Sequence, residues 1–208
     1  MNLSDVVAAR RSVRAFRDAP VPSALVERAI ALAVQAPAPH HSNPWRFVLV
    51  SAAGDKERFS AVMGEAWTRD LTADGHPPDK VAAITGRSHR LLTSTPLLVV
   101  CCADMAAAHD YPDERRRLAE WSLFAHATGA ALQTFMLALA EDGIASCWIS
   151  APVFCRDTVR DHFGLDETVE PQALVLAGYA SPDYRPRPRP APDPTDFLAG
   201  PDSLGRQL

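Results

Sequence analysis

Apolar residues recur along the chain at alternating helical and strand-like spacing. Ser4 can cap a short helix to about Arg11, and Ser23 opens a second in which Leu25, Val26, Ala29, Ile30, Ala33 and Val34 share a face before Pro37 stops it. Strands are predicted at Arg46 to Ser51, Leu97 to Ala103, Ala145 to Ile149 and Gln172 to Tyr179. Further helices are predicted at about Asp55 to Leu71, from past Pro78 to about Leu92, and at Cys155 to Phe163. From Asp113 to Asp142 there is no proline, and Leu118, Trp121, Phe124, Leu132, Phe135, Met136 and Leu139 make one long helix apolar on most of its circumference. Such a helix belongs in the middle of a fold or of an interface, and Gly143 ends it. Ser181 to Pro194 carries six prolines in fourteen residues with Arg185, Arg187 and Arg189 among them, the pattern of an extended arm.

The chain has 208 residues, of which 47% are hydrophobic and 22% charged, which suits one packed core and excludes general disorder and coiled-coil rods. Its 21 Lys and Arg against 25 Asp and Glu give a net charge of −4, which argues against nucleic acid as a partner. The longest uninterrupted apolar run is seven residues, Leu97 to Ala103, against the roughly 20 needed to cross a bilayer, so no membrane span is expected. Charges at Asp5, Arg10 and Arg11 break up any secretory signal at the N-terminus, and a cytoplasmic location is expected. Cys101, Cys102, Cys147 and Cys155 fit neither a disulfide framework nor a metal motif and read as small core residues.

Signatures for phosphate-loop, dinucleotide, zincin and hydrolase-elbow chemistry are missing. Arg10, Arg11, Ser12, Arg14 and Arg17 put five donors into eight residues. Paired guanidinium forks with a hydroxyl suit a dianionic phosphate, and a solvated basic helix end is the plainer reading. Arg10 and Arg14 converge if the helix persists, or meet around a turn if it breaks at Ser12. APAPHHSNPWRF at Ala36 to Phe47 makes a rigid, donor-rich turn leading into a strand. No further His, Cys or carboxylate follows His40 and His41 at a metal-ligand spacing, so no metal is expected there and a hydrogen-bonded histidine is the simpler reading.

RRSVRAF at Arg10 to Phe16, NPWRF at Asn43 to Phe47, GIASCWIS at Gly143 to Ser150, and AGY at Ala177 to Tyr179 before an arginine-bearing arm together resemble the nitroreductase superfamily of FMN-dependent enzymes. APAPHH at Ala36 to His41, the W-x-x-D-L-x-x-D-G pattern at Trp67 to Gly75, HDYPD at His109 to Asp113 and SCWI at Ser146 to Ile149 are most similar to the FbiB-like reductase domains of deazaflavin coenzyme F-420 biosynthesis. The resemblance implies an α+β, three-layer α-β-α fold: a mostly antiparallel central sheet, a long core helix, a flavin domain over 1–180 and an arm over 181–208. It implies FMN as cofactor, held through phosphate, ribityl chain and ring edge by Arg10, Arg11, Ser12, Val13 and Arg14. Ala38 and His41 would line the flavin, Ile149 would lie in the backbone stretch facing its reactive edge, and Arg187 would add a phosphate contact from a second subunit of a homodimer. Many nitroreductases have Asn where His41 stands, which shifts the likeness toward the deiodinase-like and FbiB-like branches. Asp70 would touch a deazaflavin-type substrate. No residue is implied as catalytic, because the flavin carries the chemistry. The leading expectation is reduction of a dehydro-F-420-0-type precursor. Beside it stand a general NAD(P)H-dependent nitroreductase, quinone reductase or deiodinase-like enzyme, and a non-catalytic flavin or deazaflavin binder partnering a separate glutamate ligase.

Overall fold

The apolar run at Leu97 forms β2 (Leu97–Asp104), buried along all but its last residue. It is an inner strand of a four-stranded sheet ordered β1-β2-β4-β3. β1 (Trp45–Val50) and β3 (Ala145–Ile149) are the edges, β4 (Val169–Gly178) is the other inner strand, and every ladder is antiparallel. A strand covered on both faces needs apolar side chains at every position, which is why β2 shows no alternation. The computed structural model describes residues 2–199; the remainder of the predicted arm, 200–208, lies outside the described residues.

Two cores flank the sheet. Leu97, Val99 and Cys101 of β2 pack with α2 (Ser23–Ala33) and α5 (Glu114–Glu141), whereas Leu98, Val100 and Cys102 pack with α3 (Ala53–Ala73), α4 (Pro78–Ser94) and α6 (Arg156–Phe163). The result is the three-layer α-β-α arrangement. On length and composition α5 could cross a bilayer, yet half of its most apolar stretch is buried within this fold. Asp113 caps its N-terminus by accepting from the Arg116 N–H, and Gly143, at φ 75°, lets the chain turn back into β3.

The structure corrects two local expectations. The first helix, α1 (Leu3–Ala9), is capped by Asn2 and Asp5 in a reciprocal box rather than by Ser4, and it ends before the arginine cluster. β4 starts at Val169 instead of Gln172, because Pro171 is accommodated at a register shift against Cys101 and Cys102 of β2. The helix predicted to about Leu71 holds, and α3 runs on to Ala73 before Gly75 breaks it. Ser23 opens α2 as expected, with Pro22 at the cap position.

Burial raises the Cys101 thiol well above its ordinary value and takes Cys102 from 9.0 to about 12. Cys147 is buried too, and only Cys155 is partly accessible. Native protein at neutral pH should therefore react with a thiol reagent at no more than one of its four cysteines, and at all four once unfolded. A raised folded value favours the native state fully below pH 9.0, and that contribution is lost as pH rises toward about 12. Alkaline denaturation curves should show it.

Candidate functional site

Arg10 caps α1 in extended conformation, so the chain beyond it runs as a strand-like segment along β3. Ser12 forms a parallel bridge with Ser146, and Val13 N–H donates to the Ser146 carbonyl at 3.0 Å. Farther on, Arg17 N–H bonds the Tyr179 carbonyl and Phe16 bridges Ala180, stitching the segment to the end of β4. Arg10, Ser12 and Arg14 thus follow one another at the two-residue period of a strand instead of the helical spacing considered from sequence. Cys147 reports the outcome: burial pushes its thiol up, while Arg14 and Arg10 both pull it down. The two guanidinium groups therefore act on the same ground. Arg11 is engaged differently, donating to the carbonyls of Ala8 and Arg10.

Beside this segment lies a cavity of about 260 Å³ lined by Arg10, Arg11, Val13, Ser146, Tyr184 and Pro186, among others, with no acidic residue in its wall. Ser146 Oγ is buried and has no hydrogen-bond partner. Tyr184 and Pro186 belong to the start of the arm, so the arm passes the arginine cluster; Arg187 is exposed and makes no hydrogen bond among the described residues.

The histidine turn is a short 3-10 turn, Pro39–His41, in which His40 and His41 both have positive φ, 55° and 52°. Non-glycine residues pay strain for this conformation. His40 Nε2 lies 2.7 Å from Glu120 Oε1 on α5, and the same oxygen accepts from the His109 backbone N–H at 2.8 Å. Burial pushes the Glu120 carboxyl up, but the His109 N–H and His40 outweigh it and hold it below its usual value. Ala38 is half-buried against the α2–α5 core, and His41 is exposed. Both precede β1, whereas Arg10 to Arg14 lie along β3. These are opposite edges of the sheet, three strand spacings or about 14 Å apart. A single chain does not bring the two halves of the expected site together.

Ile149 closes β3 and packs partly into the second core; the neighbouring Trp148 donates from its indole N–H to Ser150 Oγ at 3.2 Å. Asp70 is exposed in the last turns of α3 and, with Arg69, lines a second cavity of about 200 Å³ against Phe154 to Thr158. There Arg156 lies over the Trp121 ring, 4.9 Å from its centre, with its Nε buried and unpartnered. Arg46 pairs with Asp104 at 2.6 Å. Glu120, Ser146 and Arg156 escape sequence reading, since what distinguishes each is a contact or a missing one. HDYPD and SCWI, which mark the resemblance, point to His109 and Ser146 without saying what they touch.

The family model for nitroreductases matches residues 7–179, which takes in the arginine segment, the histidine turn and all four strands. The chain belongs to the nitroreductase family. It is 29% identical over 186 residues to YfhC of Bacillus subtilis (strain 168), named as an NAD(P)H nitroreductase, with 88% of this chain and 86% of that protein covered. A shorter likeness, 35% identity over 74 residues, relates this nitroreductase-family chain to the iodotyrosine deiodinase of Danio rerio, covering 30% of this chain and 25% of that one. Among solved structures, a nitroreductase with bound FMN from Bacteroides fragilis NCTC 9343 superimposes with a TM-score of 0.71 at 21% identity, covering 96% of this chain and 100% of the other. That similarity shows the nitroreductase fold.

Proposed function

We propose that this chain is an FMN-dependent oxidoreductase that works as a homodimer. The observation that carries the reading is Ser146 Oγ, a buried hydroxyl without a partner at a cavity walled by arginines and no acid. Buried polar groups are almost always satisfied, so an orphan beside the Arg10 guanidinium, which has no hydrogen-bond partner among the described residues, marks the place of a missing acceptor. A phosphate with its sugar-like chain fits that donor set: Arg10 and Arg14 would take the dianion, and Ser12 and Ser146 the hydroxyls. When bound, FMN supplies the hydride transfer. The chain's own part is to bind and orient, with Arg14 offering positive charge to a ring edge and Ile149 closing the strand beside it.

The second chain follows from the separation of the two half-sites across the sheet. A partner copy would bring its Ala38 and His41 turn to Arg10–Arg14 of this one. Apolar side chains exposed on and near α5, Leu118 at 61% and Leu123 at 45%, with Phe154 at 82%, are the surface such a partner would cover. Light scattering at micromolar concentration is expected to give twice the chain mass of 22.5 kDa, and a folded, FMN-bound monomer would overturn the dimer.

For the acceptor, Asp70 and Arg69 beside the unpartnered Arg156 Nε favour an anionic ring substrate of the dehydro-F-420-0 type, with Asp70 accepting from a ring N–H. The nearly full-length likeness to YfhC favours a second reading, an NAD(P)H-dependent reductase of nitroaromatics or quinones. Titration with FMN and coenzyme F-420, followed by steady-state turnover of nitroaromatics with NAD(P)H, separates them. Binding of both flavins selects the first reading. FMN binding with nitroaromatic turnover and no affinity for F-420 selects the second. Binding of either without any turnover would make the chain a carrier serving a separate enzyme such as a glutamate ligase.

A further inference from the structure

We propose that His40, His109 and Glu120 form a binding site for a divalent transition-metal ion of the zinc class. Their donor atoms all lie within 4.8 Å of one another and come from three separate parts of the fold: the Pro39–His41 turn, the loop after β2, and α5. Sequence spacing hides the set, because His109 and Glu120 follow His40 by roughly seventy and eighty residues.

Glu120 is only 4% exposed, and among the described residues no Lys or Arg pairs with it. Its two hydrogen bonds both fall on Oε1, one from the His40 ring and one from the His109 backbone. A carboxylate withdrawn from water needs a countercharge. An imidazole provides one only by taking up a proton, whereas a divalent ion provides it while both rings stay neutral, the form in which they ligate. Two nitrogens and one carboxylate oxygen suit zinc, with a fourth position left to water; calcium and magnesium prefer shells of oxygen alone. His40 is already fixed by Glu120. The His109 ring is stacked on it, centres 3.9 Å apart, and the ion enters as that ring swings off the stack. Phe124 and Tyr111, each 6.2 Å from one of the two rings, wall the cluster. Once bound, the ion would clip the strained turn to α5.

The test uses the purified chain stripped with EDTA, with binding read independently of flavin or activity. Co²⁺ titration should give a visible ligand-field spectrum saturating at one ion per chain, and Zn²⁺ should displace it in calorimetry. His109→Ala, a change on an exposed loop, and Glu120→Gln should each weaken Zn²⁺ binding at least tenfold, since losing even a hydrogen-bond partner of a ligand costs roughly 10- to 100-fold. His126→Ala, on α5 but outside the cluster, should leave it unchanged. Absence of both the Co²⁺ spectrum and the Zn²⁺ heat, or undiminished binding by His109→Ala, would overturn the site.

Discussion

Replacing Arg10 with alanine is expected to weaken FMN binding ten- to a hundredfold. A hydrogen bond to a charged group contributes roughly 1.5 to 3 kcal/mol, and Arg10 is half-buried in the cavity wall, where solvent screens it less than the exposed Arg14. Among the described residues it makes no salt bridge, so the substitution removes a donor meant for the ligand and breaks nothing else. Arg14 is more exposed and should matter less; the double substitution should exceed either alone. Because Arg14 and Arg10 also pull the Cys147 thiol down, their removal should make that thiol still harder to ionise, an internal check that the side chains sit where described. Fluorescence titration gives the dissociation constants. Equal values for wild type and Arg10→Ala would remove the cluster from the phosphate site.

Phe135→Ala should cost about 3 to 5 kcal/mol of stability, the usual range for emptying a fully buried aromatic position. The side chain is completely buried on α5, at the centre of the core shared with α2 and the sheet, and its ring centre lies 5.8 Å from that of Phe47 on β1. Nothing nearby can refill the space without moving a strand or a helix, since the β2 and β4 side chains facing it are locked in ladders on both sides. For a chain of this size the loss corresponds to a drop in melting temperature of roughly 6–20 °C, to be measured by calorimetry with FMN concentration held constant. A change under 1 kcal/mol would mean that this core is looser than its packing indicates.

Much of this architecture is legible in the sequence, and the reasons are local. The long helix is read to within a residue at each end because Asp113 caps it and Gly143 stops it, with no proline between. β3 falls at Ala145–Ile149 as predicted. The first residues of β4 are missed because Pro171 forbids a regular ladder, and only the tertiary register reveals the irregularity that admits it. Of the candidate site, the residue types are legible and the geometry is not. The arginines align through strand pairing with Ser146, a partner more than a hundred residues away, and the split between Arg10–Arg14 and Ala38–His41 depends on strand order, which no periodicity encodes. The left-handed pair at His40 and His41 likewise has no sequence signal, since neither residue is glycine.

Cys101 and Cys102 are neighbours along the backbone, yet one belongs to the α2–α5 core and the other to the α3–α4–α6 core. Strand alternation points their Cβ atoms in opposite directions, whereas a disulfide needs them about 3.8 Å apart, so oxidants cannot join the pair while β2 is intact. The same alternation makes them a matched pair of reporters. Under partial destabilisation, a pulse of alkylating reagent resolved by peptide mass would record which helical layer lifts from the sheet first: Cys102 modified ahead of Cys101 would mean that the layer of α3, α4 and α6 opens as a unit of its own, and simultaneous labelling that the two faces melt together.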